Sequence, residues 1–192
     1  MINLSHPTGN ANVRAVLKAL VKKGMLDSFT TTLASYPESF LHKLGLSSLL
    51  KDFDRRSYDT EIHPYIQDYP YPELVRLAAN KFNIKTLTRH EQGTFSVDAV
   101  YRYLDKKTAQ SIRHNPKALK AVYAYEDGAL ETFKIAKQLG LKTFYDLPIA
   151  YWETGRKLML EEAERYPEWS STLAGGIKDS EAKLDRKRQE LE

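Results

Sequence analysis

Cysteine is absent from the 192-residue chain, which excludes disulfide frameworks, thiolate metal sites and cysteine nucleophiles. Long apolar runs are absent too. None approaches the about 20 residues of a membrane-spanning helix, and residues 1–7 lack a basic region followed by an apolar core. An excess of one charge sign is small, at +4 overall, and with 42% hydrophobic residues this excludes a disordered chain. The histidines His6, His42, His63, His90 and His114 are widely spaced, with no pair at i, i+4, so no metal site is expected. What is present suffices for one domain of roughly 100–200 residues that buries about 70% of its unfolded surface. A reducing compartment, the cytoplasm, is the expected location.

The net charge hides an asymmetry. Residues 1–125 hold 18 Lys and Arg against 11 Asp and Glu, whereas residues 126–192 hold 11 against 14. A basic first two-thirds attracts phosphate on nucleic acid, anionic lipid or a sugar nucleotide, or else only confers solubility.

Residues 2–5 read as a strand, and residues 6–10 (His6-Pro7-Thr8-Gly9-Asn10) as a loop that cannot continue it. Val13, Val16, Leu17, Leu20 and Val21 form one helical stripe, stopped by Gly24. Residues 29–33, rich in threonine, read as a second strand. A helix interrupted at Gly45 is expected over residues 35–51, and residues 52–72 show no clear element. Further helices are expected near residues 72–82, with Pro72 in the first turn, and after Ser96 as N-cap. The α/β alternation then returns: a strand over 121–125, a helix marked by Ala129, Leu130, Phe133, Ala136 and Leu139, and a strand over 142–147 ended by Pro148. A helix near 150–166 follows. The last, over 178–192, has only Leu184 and Leu191 as large apolar residues, with Ile177 just before it, a stripe too thin to bury well against its own domain. The expected fold is α/β, a Rossmann-like three-layer domain with a mostly parallel sheet over residues 1–176, and a charged helix at 177–192.

In such sheets ligands bind beyond the carboxyl ends of the strands, where the strand order reverses. Three loops qualify. Gly9 and Asn10 let backbone approach an oxyanion at a helix N-terminus, or form a plain turn capped by Asn10. The loop lacks both the three-glycine dinucleotide spacing and a Lys-Ser/Thr ending. Glu126 and Asp127 accept hydrogen bonds from sugar hydroxyls, or Asp127 caps the following helix. Tyr145 and Asp146 lie where a hydroxyl is oriented, with Asp146 the one catalytic candidate. Arg14, Lys18, Arg55 and Arg56 are candidate phosphate or membrane contacts, or ordinary surface charge. The rings of residues 58–71 stack on a sugar or base, or pack over the sheet edge.

Three blocks carry a resemblance: residues 6–14 after the first strand, Arg55-Arg56-Ser57-Tyr58 ahead of the helix begun by Pro72-Glu73-Leu74-Val75-Arg76, and residues 123–133 with 137–148. The Tyr151-Trp152 helix with Glu161-Glu162 completes the pattern. With these blocks the chain resembles the N-terminal half of a GT-B glycosyltransferase of the retaining glycosyltransferase family 4 ("group 1" type). The resemblance implies an acceptor-binding domain, with a second Rossmann-like domain, absent here, that binds the nucleotide sugar. It implies no cofactor in this chain, a sugar or lipid-linked acceptor, and transfer with retention and without a metal. It places Gly9 and Asn10 near donor phosphates and acceptor, and Glu126 in the acceptor cleft. Many members carry a histidine where this chain has Tyr145-Asp146. The half-enzyme is expected to be inactive alone and to lie in the cytoplasm, or peripherally on the inner membrane face. The rival reading is a stand-alone basic α/β module for nucleic acid or anionic membrane, though no nucleic-acid motif supports it. A small dinucleotide-dependent enzyme is disfavoured by the incomplete glycine pattern.

Overall fold

Strand β1 (Ile2–Ser5) ends at a loop whose Asn10 caps the helix α1 (Ala11–Lys22), its side chain accepting from Val13 N at 2.9 Å. Val13 and Leu17 on the stripe are fully buried, each contributing about 1.5–3 kcal/mol of burial free energy. Gly24, at φ +61°, turns the chain into β2 (Leu26–Thr31), which begins earlier than residue 29. A computed structural model describes residues 1–36, 56–116, 119–173 and 179–192. Most of the helix expected over 35–51, Arg55 and Ile177 lie outside these residues.

The stretch expected to hold no element contains a 3-10 helix (Thr60–Tyr65) and β3 (Ile66–Asp68). Helices α2 (Tyr71–Lys81), with Pro72 in its first turn, α3 (Lys85–Thr88) and α4 (Val97–His114) follow. Ser96 caps α4, accepting from Ala99 N at 3.1 Å. The second βαβ unit is β4 (Ala121–Tyr125), α5 (Leu130–Gln138) and β5 (Lys142–Asp146). Helix α6 (Trp152–Arg165), a 3-10 helix (Pro167–Leu173) and α7 (Glu181–Leu191) complete the order.

All four strand pairings are parallel, in the order β3-β2-β1-β4-β5. The domain is therefore a Rossmann-like α/β fold, as expected. Leu4 and Phe29 face α1, in a core with Val13, Leu17, Tyr58 and Ile62. Val122 and Ala124 face the other way, with Ala109 and Ile112 of α4 and Phe133 and Ala136 of α5. No helix among the described residues is long and apolar enough to cross a membrane.

Candidate functional site

The strand order reverses between β1 and β4, so the loops that follow these two strands share one mouth. From β1 comes His6, buried, its Nδ1 accepting from Gly9 N at 2.7 Å and Thr8 N at 3.1 Å. That leaves the proton on Nε2, which has no hydrogen-bond partner among the described residues. The ring lies edge-on to Tyr125 at the end of β4, with centroids 4.4 Å apart. Burial lowers its pKa to about 4, so the imidazole is neutral at physiological pH.

Gly9 (φ +64°) has the Tyr58 phenol packed against its α-carbon, so close that a Cβ would overlap the hydroxyl and ring. Arg14 binds this pair from outside. Its Nε donates to Gly9 O at 3.0 Å, a terminal nitrogen donates to Ser57 O, and the guanidinium lies 4.6 Å from the Tyr58 centroid. Asn10 is engaged as the α1 cap, the plainer of its two readings.

The β4–α5 loop differs from expectation. Asp127 does not cap α5. It sits at φ +68°, and the N-cap position is Ala129, with no side-chain cap of its own. The amides of Asp127 and Ala129 instead donate to the two oxygens of Glu190, at 3.0 and 3.1 Å, and the Tyr145 hydroxyl donates to the same carboxylate at 3.0 Å. The Gly128 amide between them donates to Tyr125 O at 3.1 Å, so the cradle for this carboxylate is made by the amides on either side of it. Glu126 is buried and paired with Lys187 Nζ at 3.0 Å. Tyr101, pushed up to about 12 mainly by burial and then by the Tyr125, Glu73 and Asp127 charges or phenols beside it, borders the same mouth.

Tyr145 and Asp146 alternate across β5. Tyr145 reaches Phe133 and Glu190, with burial and the Glu190 carboxylate pushing its phenol up. Asp146 lies beside Tyr123, which burial and this carboxylate push up to about 12. The structure thus brings Gly9, Asn10, Glu126 and Asp127 to one mouth, joins Tyr145 to it through Glu190, and turns Asp146 away from Tyr145.

The basic candidates are spread. Arg56 is buried in an ion pair with Glu73, which also binds Arg76 at 2.7 Å. Lys18 pairs with Asp59 at 2.8 Å on the surface. Of the rings of 58–71, Tyr58 packs inside against Phe29 at 5.0 Å. One His-carboxylate group exists among the described residues, His90, Glu91 and Asp179, but Glu91 also accepts from Ser180 N, and Asp179 from Lys183 Nζ at 3.0 Å. A cavity of about 480 Å³ lies elsewhere, against Asp27, Ser28, Gln67, Ser111 and His114.

Sequence reasoning missed Lys187 and Glu190. Neither stands in a motif, and the Glu126 carboxylate and the Asp127 and Ala129 amides that they bind lie 61 to 63 residues away. His6 was legible only as a loop residue; its neutral tautomer follows from the turn of Thr8 and Gly9 around it. A scan against protein-family models, a search of curated proteins and a search of solved structures each return no match.

Proposed function

We propose that this chain is the acceptor-binding half of a retaining glycosyltransferase that takes a sugar from a nucleotide donor. The observation that carries the reading is the shared mouth at the strand-order reversal, where the Gly9-Asn10 loop adjoins Glu126 and Asp127. A mouth with carboxylates, phenols and a neutral imidazole suits a ligand rich in hydroxyls, because each hydroxyl both donates and accepts. In this role Glu126 and Asp127 accept from acceptor hydroxyls, and the loop backbone at Gly9 limits how deep the acceptor sits. The domain contributes position and electrostatics at the attacking oxygen. Transfer needs a donor-binding domain as a second body. The engagement of Arg14 with Gly9 and Ser57, and of Arg56 with Glu73, speaks against a phosphate-tracking surface built on these arginines.

The test is a backbone-amide NMR titration of the 192-residue chain with myo-inositol, methyl glucoside and a short RNA, alongside a transfer assay with UDP-glucose. Shifts at Gly9, Asn10, Glu126 and Asp127 with a polyol, and no transfer by the chain alone, are expected. Transfer at an appreciable rate, or shifts only along α1 with RNA that vanish as salt rises, overturns the reading.

A further inference from the structure

At the mouth, the loop carboxylates are answered from within the chain. The thin stripe expected to leave α7 undocked is supplemented by Lys187 and Glu190, 6% and 2% exposed. Lys187 Nζ lies 3.0 Å from Glu126 Oε1 and 3.6 Å from Asp127 Oδ2. The other end of the sheet differs. There the cavity of about 480 Å³ opens between the start of β2, the edge strand β3 and the last turn of α4. Among the described residues its carboxylate, Asp27, has no cationic partner, and its one hydrogen bond is accepted from Ser28 Oγ at 3.0 Å.

The polar groups behind this wall direct their donors toward Asp27. Asn3, 1% exposed, donates from Nδ2 to Ser28 Oγ at 2.8 Å, and Ser28 Oγ donates in turn to Asp27 Oδ2. The run ends at the carboxylate, which is its negative pole. The donors of the other walls are spent inside the protein as well. Ser111 Oγ donates to Gln67 Oε1 at 3.1 Å. His114 Nδ1 lies 2.7 Å from Gln110 O; a carbonyl only accepts, so Nδ1 carries the proton and Nε2 of the neutral ring is left as an acceptor.

The end of α4 adds to this balance. An 18-residue helix carries partial negative charge on its last carbonyls. Ser111 O accepts from Asn115 N, but the next residue is Pro116, which has no N–H to offer the others. Arg113, in the same turn, lines a separate cleft beside Glu131. The cavity therefore combines an unpaired carboxylate, an imidazole acceptor and a negative helix end with the apolar side chains of Ile112 and Leu119. An ammonium group brings three donors and no acceptor. A hydroxyl also brings an acceptor, and the hydroxyl and imidazole donors described here are already committed.

We propose that this cavity binds a small aliphatic diamine, with one ammonium on Asp27, the other at the end of α4, and the methylenes along Ile112 and Leu119. The site lies at the opposite end of the strands from the mouth, so it does not depend on the reading of Glu126 and Asp127 as acceptor contacts.

The experiment is an NMR titration of the 192-residue chain with putrescine, butylamine and butanediol at constant ionic strength. It follows the backbone amides and the side-chain amides of Gln67 and Asn115. Expected are saturable shifts with putrescine at Ser28, Gln67, Ser111 and Asn115, weaker binding of butylamine and none of butanediol. The amides of Gly9 and Asp127 at the mouth stay still. Asp27→Asn keeps the size of the side chain and an acceptor for Ser28, and weakens putrescine binding by about tenfold or more. Gln67→Lys, at an exposed position of the edge strand, places an ammonium in the cavity from within the chain and blocks putrescine with Asp27 intact. Unchanged amide shifts along α1 and α5 show that both variants keep the fold. No saturable shift at the cavity with millimolar putrescine, shifts confined to the Glu161-Glu162 face of α6, equal binding of butanediol or butylamine, or parent-like affinity in Asp27→Asn or Gln67→Lys overturns the proposal.

Discussion

His6 shows how much one side chain decides at the mouth. Its Nδ1 gathers the Thr8 and Gly9 amides, which shapes the loop that presents Gly9, and its other edge meets Tyr125. Protonation would place a hydrogen on Nδ1 against two N–H donors and a charge in a buried site. The unfolded chain therefore binds this proton more readily, with an ordinary value of 6.5 against about 4 in the fold. Stability from this group is complete above about pH 6.5 and is lost as pH falls toward 4, a difference of up to about 3 kcal/mol. Urea denaturation at pH 4.5 and pH 7 checks it: His6→Gln is less stable throughout, but its pH difference is smaller than the parent's. A parent without that extra slope contradicts the neutral buried ring. The caps at Asn10 and Ser96 were readable because each bond spans three residues. The cap on α5 was not, because it comes from Glu190 in a helix far along the chain.

At the level of elements, the two βαβ units were legible from apolar periodicity and from the glycines Gly24 and Gly140, both at positive φ. β3 was not. It has three residues, of which Gln67 and Asp68 are polar, and it is a strand only because β2 pairs with it. What fastens that side of the sheet is the Glu73 carboxylate of α2, buried between Arg56 and Arg76. Arg56 also reaches Thr32, just past β2, at 3.4 Å, so the cluster ties α2 to the sheet. Glu73→Gln leaves a buried guanidinium without its counter-charge and should cost about 3–5 kcal/mol. A double change to Arg56→Met and Glu73→Leu removes both charges and should recover much of that loss. Chemical denaturation of the three proteins separates the cases. A small loss in the single variant and a large one in the double would mean that the contact with Thr32, not the ion pair, holds the element.

Across the whole molecule, burial is unevenly distributed, and this follows from where the sheet ends. Helices α1, α4 and α5 lie on the two faces and are buried along their inner sides. Beyond them the chain runs past the β5 edge, where Phe144 is exposed, into α6, which has no buried residue. Ile149, Leu158, Leu160 and Trp169 are exposed in this region. Its amphipathic pattern predicts the helix, but periodicity does not say which elements lie against it. Helix α7, in contrast, is tied back over the mouth by its charges. Local stability should therefore not decline steadily toward the end of the chain. Amides of α4, which carries seven buried residues, open only with the whole domain. Those of α6 open on their own and should exchange at least about a hundredfold faster. The α7 amides should fall between them, slower than α6 although later in sequence. Hydrogen exchange resolved by segment decides this order. If α6 is protected as well as α4, its bare face is covered in solution, and a partner or second copy on that face becomes the thing to look for.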